Sequence, residues 1–292
     1  MINKKFLEKK EEIIYFFSNC KFDVFTKNIL HAILLENGTK WDAGTNLGIK
    51  DFLIFLKKKC HLQEIILNFP NRNIIRYLFK SDISPYIIAC SIKPSGYFSH
   101  YSAMFLNGLT EQIPKSIYFN IEQSDKYVNE NDLTQQQIDD AFTRKARTTN
   151  QIAEYNNYKI YLLNGKNTNN LGIITVEDHT TYQIKTTCIE RTLIDIAVRP
   201  NYSGGIYEVL KAYEMAHSYV SINKLSAILE NMELIYPYHQ AIGFYLEKTG
   251  KYNEKQLNIM KKFEIKHKFY LTYNMTNPKY SETWKLYYPS DF

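Results

Sequence analysis

Hydrophobic residues in the first third of the chain recur at the spacing of one helix face. They predict helices over residues 4–19 and 27–36, the second behind Thr26 as its capping residue. A third helix is predicted to open at Thr45 or Asn46. The apolar stripe of this third helix consists of Ile49, Phe52, Leu53 and Leu56.

Alternation of apolar and polar residues then replaces the helical pattern. Residues 63–69 and 74–80 alternate, and the stretch Pro70-Asn71-Arg72-Asn73 between them has the composition of a hairpin loop. Three helices followed by a hairpin is the layout of a winged helix-turn-helix, whose third helix enters the DNA major groove. We therefore predict a winged helix-turn-helix DNA-binding domain over residues 1–82.

Several basic residues lie on the predicted third helix and on the hairpin. In addition, the free N–H groups at the start of a helix favour contacts with phosphates. The predicted DNA contacts are Thr45, Asn46, Lys50, Lys57, Lys58, Lys59, Arg72 and Arg76. A triple lysine that closes a helix also complements the helix dipole and solvates the surface. Considered alone, these residues do not decide between the two roles.

The helix and strand signals over residues 84–292 predict a larger mixed domain, so the predicted fold class is α+β. Ser84-Pro85 and the Thr134-x-x-Gln137 capping box open helices. Alternation over residues 158–163, 171–176 and 182–187 predicts a small antiparallel sheet. Several further helices follow, among them one that Ser221 caps.

The stretch from Gln183 to His217 is the part around which the larger domain is organised. Its first helix buries one apolar face and leaves a row of charged residues, namely Glu190, Arg191, Asp195 and Arg199. Such a row is either a buried ion-pair clamp or a functional surface that faces a partner. Periodicity alone leaves both roles open.

Composition and charge favour a globular protein with one basic end. Hydrophobic residues make up 45% of the chain, which argues against disorder. The first 95 residues hold 15 Lys and Arg against 9 Asp and Glu, whereas the remainder holds 21 of each. This distribution is typical of a nucleic-acid-binding module joined to an effector module.

Four dispersed cysteines form no C-x-x-C pair, and no run of 18 apolar residues occurs. We expect a soluble, cytoplasmic protein without a zinc site, a disulfide framework or a membrane partner.

The sequence contains one weak candidate for catalysis. No H-E-x-x-H, G-x-S-x-G or Walker motif occurs, and no cofactor is expected. A nuclease-type metal site would use Asp178, Lys185 and Glu190, because such sites need carboxylates for the metal and a lysine near the phosphate. Only five residues separate Asp178 from Gln183, which leaves little chain to bring both to one metal. We predict that the protein is not an enzyme and keep a metal-dependent nuclease or other phosphoryl-transfer enzyme as the alternative.

Three stretches resemble the AbiEi family of antitoxins and transcriptional repressors. They are CIERTLIDIAVRPNYSGGIYEVLKAYEMA (188–216), SGYFSHYSAMFLNGLTEQIPKSIYFN (95–120) and YPYHQAIGFYLEKTGKY (236–252). AbiEi proteins belong to AbiE-type (type IV) toxin–antitoxin systems, which defend against phage by abortive infection.

The resemblance implies that the N-terminal domain represses its own operon by binding a repeat operator in promoter DNA. It also implies that residues 84–292 form an antitoxin domain, which neutralises a nucleotidyltransferase-like toxin without a stable complex. A DNA-binding regulator whose larger domain senses a ligand or partner is the remaining alternative.

Overall fold

The chain divides into two units, each with its own core. The structure is a computed structural model that describes residues 4–42, 48–124, 132–177 and 182–292. Unit 1 comprises Met1–Pro94 and Gln151–Asn157, and unit 2 comprises Ser95–Asn150 and Tyr158–Phe292. We predicted residues 84–292 to form the larger domain, but residues 84–94 and 151–157 group with unit 1.

The described elements alternate between helices and short strands. The helices are α1 (Lys4–Glu8), α2 (Lys10–Ser18), α3 (Lys27–Asn37), α4 (Ile49–Lys59), α5 (Pro85–Cys90), α6 (His100–Leu106), α7 (Gln135–Phe142), α8 (Ile189–Val198), α9 (Ile206–Ala216), α10 (Ile222–Asn231), α11 (Tyr238–Lys248) and α12 (Glu254–Met260). The strands are β1 (Val24–Phe25), β2 (Gln63–Phe69), β3 (Arg72–Leu78), β4 (Tyr97–Phe98), β5 (Ser116–Glu122), β6 (Ile152–Tyr155), β7 (Tyr158–Gly165), β8 (Ile173–Glu177), β9 (Gln183–Thr187), β10 (Phe269–Tyr270), β11 (Lys279–Ser281) and β12 (Leu286–Tyr288). The predicted α+β class is confirmed.

The helices of unit 1 pack around an aromatic core. The Thr26 side chain accepts a hydrogen bond from the Ile29 N–H at 3.2 Å and so begins α3 as predicted. The predicted helix over 4–19 is interrupted at Lys9, where α1 gives way to α2. Helix α4 begins at Ile49, after Gly48. The aromatic side chains buried in this core are Phe6, Phe17, Phe25, Trp41, Phe52, Phe55 and Tyr77.

Strands β2 and β3 form the antiparallel hairpin of unit 1. Their register runs from Gln63 opposite Leu78 to Phe69 opposite Arg72, so β3 begins two residues earlier than the predicted 74–80 segment. Strand β1 pairs with the other edge of β3. Leu67 and Phe69 are buried on one face, whereas Ile66 and its cross-strand partner Ile75 remain exposed on the other.

The main sheet of unit 2 is mixed, which corrects the prediction of one small antiparallel sheet over residues 158–187. Its strands are hydrogen-bonded in the order β7-β5-β4-β9-β8. Strands β8 and β9 are antiparallel, but β7 pairs in parallel with β5, and β9 pairs in parallel with β4. A parallel pair needs a long connection, and more than thirty residues separate β5 from β7.

Helix α8 lies at the centre of unit 2. Every residue from Glu190 to Ala197 is buried, because α6, α9, α10 and α11 all contact this helix. The Tyr213 hydroxyl donates to the Leu193 carbonyl at 3.0 Å and ties α9 to it. The predicted capping box at Thr134 and Gln137 is present, and Ser221 caps α10 as predicted.

A small sheet in the order β10-β12-β11 closes the C-terminal part of unit 2. Trp284, which precedes β12, is fully buried against α11 at Gly243. Its indole N–H donates to the Glu247 carboxylate at 2.9 Å. None of the helices that the structure describes is both long enough and apolar enough to cross a bilayer.

We expect Gly243→Ala to destabilise the protein, although alanine normally favours a helix over glycine. A Cβ atom at Gly243 would lie 2.2 Å from the Trp284 ring, which is fully buried and cannot move aside without repacking. Overpacking of this kind costs about 1–3 kcal/mol. Urea unfolding should show a lower midpoint for this variant. Gly48→Ser is the control, because a Cβ there meets no atom of the described residues within 4 Å and serine is favourable at this N-cap position. Equal stability of both variants would contradict the packing argument.

Candidate functional site

The predicted DNA-contact residues lie on α4 and the hairpin of unit 1. Lys50, Lys58, Lys59 and Arg72 are exposed and have no carboxylate partner within 4 Å among the described residues. Lys57 forms an ion pair with Glu64 and so connects the end of α4 to β2. We call Lys50, Lys57, Lys58, Lys59 and Arg72 the basic surface of unit 1. Thr45 and Asn46 lie outside the described residues.

Arg76 differs from the other predicted contacts because its guanidinium is used within unit 1. Its Nε and Nη2 donate to Ser91 just beyond α5, and its Nη1 donates to the Ile75 carbonyl at 2.8 Å. Burial and the neighbouring Arg72 lower the pKa of Arg76. The structure therefore gives Arg76 a role in joining the hairpin to the C-terminal end of α5.

The four residues of the charged row, Glu190, Arg191, Asp195 and Arg199, lie in three different environments. Arg191 and Asp195 are buried and form an ion pair, with Nε 2.8 Å from Oδ1. The Arg191 Nη1 also donates to the Leu171 carbonyl at 2.7 Å and to the Thr168 hydroxyl at 3.0 Å. These contacts fix the loop between β7 and β8 against the buried helix.

Glu190 is paired separately from Arg191. Its carboxylate accepts from the Lys224 ammonium at 2.8 Å and from the Ser221 N–H at 3.2 Å, both at the start of α10. Burial acts to raise the pKa of Glu190, but these hydrogen bonds outweigh it, so the pKa lies below its ordinary value of 4.5. The pair therefore connects α8 to α10 in the charged form of both groups.

Arg199 lies just beyond the end of α8 and is half-buried. Its Nη1 donates to the Tyr273 hydroxyl at 3.2 Å, and its guanidinium carbon lies 5.7 Å from the centre of that ring. No described carboxylate lies within 4 Å of it. Of the four charges in the row, Arg199 is thus the one left open to an external anion.

A cavity of about 480 Å³ lies beside this row in unit 2. Its wall comes from the ends of β4, β5 and β7, from the segment after α7 and from α8. The charged residues in the wall are Arg147, Lys166, Arg191, Asp195 and Arg199, and its apolar residues include Leu163, Val198, Tyr202, Met232 and Leu234. Sequence reasoning missed this cavity because its lining residues are far apart along the chain.

His100 occupies the wall of the cavity in a strained backbone conformation, with φ of +52° at the first position of α6. Its Nδ1 lies 2.8 Å from the Ser99 hydroxyl, and its ring packs edge-to-face with the Tyr202 ring at a centroid distance of 5.5 Å. Burial lowers the pKa of His100 to about 4, with Asp195 opposing and Arg199 adding to the shift. The imidazole is therefore neutral at pH 7.

The residues of the predicted nuclease site have other surroundings. Glu190 forms an ion pair with Lys224, and Lys185 is exposed on β9. Asp178 lies outside the described residues. Among residues 4–42, 48–124, 132–177 and 182–292, no three His, Cys, Asp or Glu side chains are grouped to hold a metal ion.

Comparison with known proteins gives a likeness of fold. No family model and no curated protein matches the chain. The structure is similar to the crystal structure of the RV2827C protein from Mycobacterium tuberculosis, with a TM-score of 0.62 and 12% identity. The match covers 96% of this chain and 91% of that protein. At this identity the likeness shows a shared fold alone.

We expect the neutral state of His100 to make stability depend on pH. A folded pKa of about 4 against the usual 6.5 means that stability from this group is present above pH 6.5 and is lost as the pH falls toward 4. Relative to His100→Asn, which tolerates a positive φ, the wild-type protein should lose about 1–2 kcal/mol between pH 7.5 and pH 5. Urea unfolding of both proteins at the two pH values measures this difference. Parallel behaviour of the two proteins would refute it.

Proposed function

We propose that the protein is a DNA-binding transcriptional repressor and the antitoxin of an AbiE-type (type IV) toxin–antitoxin system. The observation that carries the DNA-binding part is the position of the basic surface of unit 1 on one helix and one hairpin. Helices α3 and α4 followed by the β2–β3 hairpin agree with the order of a winged helix-turn-helix. In this proposal α4 enters the major groove, and the hairpin contacts the phosphate backbone.

The exposed face of α4 supports this orientation. Lys50, Ile54 and Lys58 are spaced four residues apart and share one side of the helix. The Ile54 side chain is 44% exposed between the two lysines. Lysine provides the attraction to phosphates, and an apolar side chain between lysines suits contact with a thymine methyl group in the major groove.

The antitoxin part rests on the resemblance in unit 2. The resembling stretch 188–216 includes α8 and α9, whose residues mostly form the buried centre of the unit. Glu190, Arg191 and Asp195 are ion-paired inside this centre, so we assign them a structural role in the antitoxin domain. The toxin partner in this proposal is a nucleotidyltransferase-like protein from the same operon, acting without a stable complex.

Loss of DNA affinity on removal of the basic surface is the direct test. We expect the full-length Lys50→Gln/Lys58→Gln/Arg72→Gln variant to bind its own upstream DNA, a repeat operator, more weakly than wild type in a gel-shift titration. Each lost phosphate contact should reduce the slope of log K against log salt by about 0.9. Lys21→Gln, an exposed lysine before β1, is the control. Unchanged operator affinity in the triple variant would refute the assigned surface.

Antitoxin activity should be separable from repression. Co-expression of the triple variant with the toxin of the same operon should still restore cell growth, because unit 2 is unaltered.

We expect Asp195→Asn to lose this rescue, since removal of one partner from a buried ion pair costs about 3–5 kcal/mol of stability. Rescue by Asp195→Asn with unchanged thermal stability would contradict the structural role of the pair.

A further inference from the structure

Two concavities in unit 2 lie next to each other and share two lining arginines. The cavity of about 480 Å³ described above shares Arg147 and Arg199 with a second one of about 680 Å³. The second concavity is lined by α7 and the segment that follows it, and by Tyr236 and Tyr273. We call the combined feature the arginine groove. Its first part has the volume of small-ligand sites, which span roughly 300–1,000 Å³.

Positive charge is concentrated in the arginine groove. Its cationic residues are Arg144, Lys145, Arg147, Lys166, Arg191 and Arg199, and its carboxylates are Asp140 and Asp195. Asp195 is neutralised by Arg191. In the part of the chain that the structure describes, the other five cations have no carboxylate within 4 Å. Residues 96–292 as a whole carry balanced charge, so this excess is local.

The groove also offers apolar and aromatic surface next to the cations. Leu163, Val198 and Leu234 line its first part together with Tyr202, and Tyr273 lies beneath the Arg199 guanidinium in the second. His100 adds a neutral imidazole rather than a further charge. A ligand that matches this wall combines a flat, weakly polar portion with several negative charges.

We propose that the arginine groove binds a nucleoside polyphosphate. The phosphates contact Arg147, Arg199 and Lys166, and the base lies against the apolar wall that includes Leu163 and Val198. Arginine suits this role because its planar guanidinium forms paired hydrogen bonds with phosphate oxygens. This inference is independent of the proposed DNA-binding and antitoxin functions, because the groove lies wholly in unit 2 and shares no residue with the basic surface of unit 1.

Isothermal titration calorimetry on the full-length protein tests the proposal. The probes are ATP, GTP, CTP and UTP, with AMP, adenosine, inorganic triphosphate and a single-stranded pentanucleotide for comparison. We expect saturable binding of at least one nucleoside triphosphate, with weaker binding of AMP and of inorganic triphosphate, and none of adenosine. This order would show that both the phosphates and the base are recognised.

Charge-removing variants locate the site. Arg147→Gln, at an exposed position, should weaken nucleotide binding on the order of tenfold. Lys166→Gln should weaken it as well, although this change also removes the hydrogen bonds of the Lys166 ammonium to the Met232 and Glu233 carbonyls. Arg72→Gln in unit 1 is the arginine control and should bind nucleotide as wild type does. Circular dichroism melting confirms that the variants remain folded. Absence of nucleotide binding, equal affinity for inorganic triphosphate, binding of the pentanucleotide alone, or full affinity in Arg147→Gln would each overturn the proposal.

Discussion

The buried ion pair between Arg191 and Asp195 is the interaction on which most of unit 2 depends. Two charges inside a protein are costly unless every donor and acceptor is satisfied. Three of the five N–H donors of Arg191 are used, by the Asp195 carboxylate, the Leu171 carbonyl and the Thr168 hydroxyl. Although burial acts to lower the pKa of Arg191, Asp195 raises it overall, so the arginine stays charged.

The same contacts require a close approach of the β7–β8 loop to α8. Gly172 has φ of +73°, and a Cβ there would lie 2.8 Å from the Cβ of Arg191. The Glu122 carboxylate also contacts this loop, where it accepts from the backbone N–H groups of Thr168 and Asn170, and it accepts from the Tyr97 hydroxyl as well. The loop is thus held by a cation from α8 and an anion from β5, and one wall of the arginine groove is held with it.

Local features of the fold were predictable from sequence, and those that depend on distant residues were not. The caps at Thr26, Ser84, Thr134 and Ser221 act over two or three residues, and the structure has a helix after each. The parallel pairing of β7 with β5 was not predictable, because alternation identifies a strand but not its neighbour. Periodicity placed the charged row of α8 correctly on one helix, yet only the packing of α10 and the β7–β8 loop shows that three of its members are buried.

The two candidate sites also differ in how far they could be predicted from the sequence. The basic surface of unit 1 follows from a run of lysines on one helix, whereas the arginine groove combines single residues from separate elements. Arg199 belongs to the charged row that the sequence singles out, but nothing in the sequence places Arg147 or Lys166 near it. Lys166 follows β7 and Arg199 follows α8, while the segment of Arg147 is held beside them because Thr149 donates to the Leu162 carbonyl of β7 and to the Tyr202 hydroxyl.

The discontinuity of unit 1 has a consequence for how the chain folds during synthesis. Strand β6 belongs to this unit, with Ala153 and Tyr155 buried and the Tyr155 hydroxyl donating to the Ile83 carbonyl. A ribosome that has finished residue 94 must add more than fifty residues before this strand exists, a delay on the order of seconds. Until then Leu67 and Phe69 of the nascent hairpin, buried in the complete protein, lack part of their final surroundings. The amino-terminal unit is therefore completed only after synthesis of the second unit has begun.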